Sequence, residues 1–117
     1  GAMYISSSTV AIDFCSFLAN SAEKRGAGLY IEDANVSIDF GLFRSNTAEE
    51  GGGVYSEYST FSIANSSFLS NTASKDYGGG INIQSSAVAI SFSSFLANLA
   101  GRSGGGVYSK YSTFSIT

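Results

Sequence analysis

Apolar and polar residues alternate in short blocks along this chain. Val10, Ile12 and Phe14 are separated by single small or polar residues, and the triplet returns as Val36, Ile38, Phe40 and as Val88, Ile90, Phe92. A period of two places all three residues of each triplet on one face of a strand, which predicts that this face is buried. Met3 with Ile5, Leu29 with Ile31, and Ile81 with Ile83 form a second short strand directly after a glycine cluster. The phenylalanine of a recurring Phe-x-x-Asn tetrapeptide opens a third. Glycine, serine and asparagine punctuate the blocks, and no helical period of useful length occurs.

The blocks recur as a unit. Phe-x-x-Asn begins at Phe17, Phe43, Phe68 and Phe95, with spacings of 26, 25 and 27 residues. From Gly28 to Phe43, Gly53 to Phe68 and Gly80 to Phe95 the distance is always 15. All variation in length falls between the asparagine and the next glycines, a segment that also holds Glu23, Lys24, Arg25, Glu49, Glu50, Lys75, Asp76 and Arg102. A connection that tolerates insertion and carries charge lies on the surface. Opening residues Gly1 to Ile5 align with Ala27 to Ile31 and belong to the repeat, although the first three also match what an expression tag leaves behind.

Three short strands per coil of 25 to 27 residues, with glycine corners and no helix, predict an all-β fold. The expected form is a right-handed, single-stranded parallel β-helix of about four and a half coils. A leucine-rich repeat requires an apolar residue two positions before the phenylalanine, where Cys15, Gly41, Ser66 and Ser93 stand. A β-sandwich requires hairpin turns rather than a fixed recurrence. In a parallel coil each strand pairs with its equivalent one turn away, about 4.8 Å distant, so equivalent side chains stack. Phe17, Phe43, Phe68 and Phe95 are expected as a buried aromatic column, and Asn20, Asn46, Asn71 and Asn98 as an amide ladder. The asparagines are also expected to take the left-handed backbone of a tight corner. Ala22, Ala48, Ala73 and Ala100 suit the same corner, and the glycines at 51 to 53, 78 to 80 and 104 to 106 supply positive φ or close backbone approach. The whole forms a rod roughly 22 Å long by the strand spacing. Residues 1–117 read as a single β-helix segment without polar caps, either part of a longer solenoid or a unit that stacks end to end.

Composition narrows the partners. Charged residues make up only 13% of the chain and net charge is −3, so no basic stripe exists to neutralise phosphates, and no nucleic acid is expected. Apolar runs are far shorter than a membrane span requires. Serine numbers 23 and glycine 14, with no proline, tryptophan or histidine. The lone Cys15 forms no internal disulfide and fills a small-residue position, which reads as packing. No secretory signal opens the chain, an absence that a mature or excised fragment would share.

The Phe-x-x-Asn tetrapeptides, each followed by a glycine pair and an aliphatic residue, resemble the polymorphic outer membrane protein repeat of chlamydial autotransporter adhesins. The resemblance covers nearly all 117 residues, with Gly-Ala in place of Gly-Gly in the first two coils. It implies a secreted or surface-exposed passenger that adheres or spaces, and it carries no catalytic residues to transfer.

Candidate chemistry is sparse. Asp13 and Asp39 share one repeat position, and stacked carboxylates can act as acid and base or hold calcium. That column continues as Ala64 and Ser91, with no companion Arg, Lys or His, so a solvated face is the stronger reading. Tyr4, Tyr30, Tyr55 and Tyr108 form an outward column interrupted by Asn82, a possible ligand-contact ladder for sugars or protein; cross-strand packing explains it equally well. Asn35 and Asn65 begin N-glycosylation sequons, and Asn65, replacing Phe14 and Phe40 in an apolar column, is expected to be buried. Rows of Ser and Thr hint at ice binding, but no regular Thr-x-Thr array repeats.

Gly51 to Ile63 returns as Gly104 to Ile116 with a single change, Glu57 to Lys110, at an outward position shared with Glu32 and Gln84. The changed charge marks the solvent face. The expected role is a non-enzymatic extracellular or cell-surface module, structural or adhesive, with no cofactor and no metal. Its expected partners are other copies of itself, neighbouring solenoid coils, or a host-surface protein or glycan. A self-assembling filament subunit and, less favoured, a polysaccharide-active enzyme are the alternatives.

Overall fold

The computed structural model describes residues 1–117, the side chain of Phe114 excepted. The first coil holds β1 (Met3–Ser6), β2 (Thr9–Asp13) and β3 (Ser16–Leu18). The second holds β4 (Leu29–Glu32), β5 (Asn35–Asp39), β6 (Leu42–Arg44) and β7 (Thr47–Ala48). The third repeats this as β8 (Val54–Glu57), β9 (Thr60–Ala64), β10 (Ser67–Leu69) and β11 (Thr72–Ala73). The fourth follows as β12 (Ile81–Gln84), β13 (Ala87–Ser91), β14 (Ser94–Leu96) and β15 (Leu99–Ala100), and the chain continues through β16 (Val107–Lys110) and β17 (Thr113–Ile116). Every pairing is parallel and joins a strand to its equivalent in the next coil, in the orders β1-β4-β8-β12-β16, β2-β5-β9-β13-β17, β3-β6-β10-β14 and β7-β11-β15. The fold is thus an all-β parallel solenoid of about four turns. The ladder β7-β11-β15 adds a fourth strand to the second, third and fourth coils. Two residues are too few to display an alternation, so the sequence pattern missed it.

Repeat positions fall in register. Met3 pairs with Leu29, so the opening residues continue the coil. The rings of Phe17, Phe43, Phe68 and Phe95 stack 4.7 Å apart and within 7° of parallel. Around them Leu29, Ile31, Val36, Ile38, Val54, Phe61, Ile63, Ile81, Ile83 and Ile90 close an apolar interior. The described chain spans 29 × 28 × 26 Å, so these four turns make a block nearly as wide as it is tall.

Each coil turns at four corners, and all four use the left-handed backbone. Glycine takes it at one corner (Gly26, Gly51, Gly78, Gly104) and other residue types at three. At the asparagine corner the left-handed residue is the one before the ladder, Ala19, Ser45, Ser70 or Ala97, and not the asparagine. A similar correction applies after β2, β5, β9 and β13. Phe14, Phe40, Asn65 and Phe92 carry φ near +50° there, which swings their side chains outward. Phe14 and Phe92 are 78% and 81% exposed, so the predicted burial of these phenylalanines fails, and with it that of Asn65. Alternation ends where the strand ends; the corner residue obeys a different geometry.

Where the residue after a left-handed position is Asn or Ser, its side chain ties the coils together. Asn46 Nδ2 donates to Asn71 Oδ1 at 2.9 Å and to the carbonyl of Phe17 at 2.8 Å. Asn71 repeats both bonds toward Asn98 and Phe43. Two serine ladders do the same at other corners. The Ser59 hydroxyl donates to the Glu57 carbonyl at 2.8 Å and accepts the Ala34 amide at 3.2 Å, while the Ser59 amide donates to Ser86 Oγ at 3.1 Å. Ser66 and Ser93 form the second ladder, beginning with the Gly41 amide on Ser66 Oγ at 3.0 Å. Among the described residues no buried side-chain nitrogen or oxygen lacks a partner, as buried polar groups require.

Candidate functional site

The tyrosine column forms in register, Tyr4 beside Tyr30 and Tyr30 beside Tyr55, with ring centroids 5.0 and 5.3 Å apart. It is not the open platform that alternation suggests. Tyr55 is 3% exposed, and the Arg25 guanidinium lies 5.0 Å over its ring while pairing with Glu50 at 3.4 Å. Tyr108 stacks on Tyr77 of a charged connection at 4.3 Å. The connections between coils fold back over this sheet, which single-strand patterning cannot reveal.

The hydroxyls of the column are engaged as well. Tyr4 donates to the carboxylate of Glu32, and Tyr30 donates to Glu57 Oε1 at 2.7 Å. Burial, reinforced by the bond to Glu57, pushes the Tyr30 hydroxyl up to about 12. Burial raises Tyr55 further, and the bond to Glu32 raises exposed Tyr4. Gln84, next in the glutamate column, turns to Asn82 at 2.7 Å. Tyr4 is 59% exposed, whereas Tyr30 and Tyr108 are half-buried.

Asp13 and Asp39 sit side by side on β2 and β5, where Asp39 accepts a 2.8 Å bond from Asn65 Nδ2. Among the described residues no group of three or more metal-ligating side chains gathers. Asn35 and Asn65 are both exposed, Asn35 on β5 and Asn65 at a corner. Cys15 is free and half-buried, its thiol directed at the Asp13 carbonyl 3.3 Å away. Three ion pairs, Arg25–Glu50, Lys75–Glu49 and Arg102–Asp76, link successive connections on the surface. No helix among the described residues is long and apolar enough to cross a membrane.

Two surface features stand outside these committed networks. A trough of about 800 Å³ runs along the corner between the β1 and β2 sheets, crossing four coils from Ser7 and Thr9 to Ser85 and Ala87. Tyr58 rises on its wall, 64% exposed at φ +50°, and Tyr111 occupies the same corner two coils on, 81% exposed. On the other edge of the β2 sheet stand Phe14 and Phe40, stacked at 4.7 Å, and farther along Phe92. Exposed aromatics thus flank a sheet whose outward residues are small. Period-two reasoning placed Phe14, Phe40 and Phe92 inside and passed over Tyr58 and Tyr111. The signal was present in the sequence: each lies directly before a ladder or small residue, at the corner.

No protein-family model, curated protein or solved structure matches this chain.

Proposed function

We propose that this chain is a non-catalytic structural or adhesive module of an extracellular or cell-surface protein, of the polymorphic outer membrane protein repeat type. The observation that carries the reading is the set of exposed aromatic side chains at left-handed corners, Phe14, Phe40, Tyr58, Phe92 and Tyr111. Left-handed backbone at a bulky residue costs on the order of 1 kcal/mol or more, and glycine or asparagine would avoid it. These rings contribute nothing to the interior, so strain kept for exposed aromatics favours recognition at the surface. The ladders behind them supply a rigid support that spaces them by whole coils. The Phe-x-x-Asn tetrapeptides and glycine pairs support the repeat type. Asp13 and Asp39, without a companion base or cation, offer little for catalysis.

The test is adhesion. Beads carrying the chain are expected to adhere to host cell surfaces or extracellular matrix, and a variant with Phe14, Phe40 and Phe92 changed to Asn and Tyr58 and Tyr111 changed to Ser is expected to lose adhesion while keeping its circular dichroism. Wild-type beads that adhere no better than that variant would refute the adhesive role.

A further inference from the structure

We propose that the trough between the β1 and β2 sheets is a binding site for an extended chain of neutral sugars lying along the solenoid axis. The inference rests on the adhesive reading and gives it a ligand class and a place.

The polar groups along the trough divide into committed and free. Along this corner the inner serines are committed: Ser8, Ser59 and Ser86 each donate to the backbone carbonyl two residues earlier. The row beside them is different. The side chains of Thr9, Asn35 and Thr60 face outward in register, one per coil, and among the described residues they make no hydrogen bond to the protein. Donors and acceptors thus repeat at about 4.8 Å over three of the four coils, set by the strand spacing, and Ala87 ends the row. Hydroxyl and amide side chains both donate and accept, which suits the hydroxyl groups of a sugar.

Aromatic surface supplies the other half. A sugar ring offers an apolar face of C–H groups that stacks on an aromatic ring, leaving its hydroxyls for polar contacts. Tyr58 lines the trough, and Tyr111 stands in the same column one coil past its lining, a separation of about 10 Å from Tyr58 by the strand spacing. An extended chain covers such a distance with a pair of sugar rings. The committed tyrosines of the neighbouring sheet have no such freedom.

Charge selects among saccharides. The only ionisable group lining the trough apart from the tyrosine hydroxyl is the Asp33 carboxylate; the cation beside the site, Lys110, lies 5.0 Å over the Tyr111 ring, outside the lining. Along the trough itself a uronate or sulfated chain would meet repulsion from Asp33. A neutral chain would find in Asp33 an acceptor for its hydroxyls.

The experiment uses the 117-residue chain produced without glycosylation, because a glycan on Asn35 would fill the trough. Cellohexaose, xylohexaose and mannohexaose are titrated by calorimetry alongside hexagalacturonate. At least one neutral hexasaccharide is expected to bind. Tyr58→Ser, which installs the residue that Ser85 presents at the equivalent corner, is expected to weaken it by about tenfold. Thr60→Val should weaken it several-fold, and Tyr30→Phe, on the neighbouring sheet, should leave it unchanged. Failure of all three neutral probes, preference for hexagalacturonate, or binding unaltered in both Tyr58→Ser and Thr60→Val would overturn the proposal. If beads still adhere in the face of such a result, the trough is wrong and the adhesive reading stands. If a neutral probe binds as expected and beads fail to adhere, the reverse holds.

Discussion

The Oδ1 atom of Asn71 receives two bonds from Asn46, the backbone amide at 3.1 Å and the side-chain amide at 2.9 Å. Both residues are wholly buried. One oxygen therefore satisfies two donors of the preceding coil, while the amide of Asn71 satisfies the Phe43 carbonyl at 2.8 Å and continues to Asn98. Removing that side chain leaves several buried polar groups unpaired at once, each worth roughly 1–3 kcal/mol. Asn71→Ala is expected to destabilise by about 3 kcal/mol or more in urea denaturation. Asn20→Ala, at a half-buried position with a coil on one side, should cost about 1 kcal/mol. Equal losses at the two positions would mean that the ladder does not hold the coils together.

The serine ladder has a gap that can be filled. Ala34 occupies the place of Ser8, Ser59, Ser86 and Ser112. By analogy with Ser59, a hydroxyl there would donate to the Glu32 carbonyl and accept the Ser8 amide. Ala34→Ser is expected to stabilise by about 1 kcal/mol. Gly41 sits in the other serine ladder, but a Cβ there would meet Ile38 Cγ2 at 2.7 Å. Gly41→Ser should therefore destabilise. Opposite signs for two Gly/Ala-to-Ser changes distinguish a ladder from a general tolerance of serine.

Phe92 offers the reverse experiment. It is 81% exposed at φ +48°, and Asn65 stands at the same position one coil earlier. Asparagine tolerates left-handed backbone better than phenylalanine does. Phe92→Asn is expected to raise stability by about 0.5–1 kcal/mol in the same urea assay. A loss of stability would show that the ring has a packing role, which would weaken its assignment to surface recognition.

Alkaline pH probes the covered tyrosines. The Tyr30 hydroxyl releases its proton near 12 in the folded chain and near 10 in the unfolded one. The folded state holds that proton more tightly, so the associated stability is complete below about pH 10 and is lost as pH rises toward 12. Tyr4 and Tyr55, raised in the same direction, add to the slope. Melting temperature should fall over this window, and less steeply in Tyr30→Phe. A melting temperature that stays level through the window would contradict the covered, hydrogen-bonded arrangement.

These particulars show what local pattern can carry. Identical coils make identical neighbours, so the recurrence of Phe-x-x-Asn was sufficient to place four rings in one file and four amides in one ladder. The corners were less legible. A left-handed residue reverses the facing that alternation implies, which is why Phe14 and Phe40 were expected inside and stand outside. The function of serine was hidden for a related reason. Twenty-three serines read as bland composition until pairing shows that Ser59, Ser66 and Ser86 bridge coils. The tyrosine column was found in register but its cover was not, because Arg25 and Tyr77 reach it from connections of variable length.

Successive coils lie over one another with a period of 25 to 27 residues. Nuclear Overhauser contacts among selectively labelled phenylalanine rings test this directly. The Phe43 ring is expected to contact the rings of Phe17 and Phe68 and not that of Phe95, two coils away. Contacts between Phe43 and Phe95, or none between Phe43 and Phe68, would contradict it.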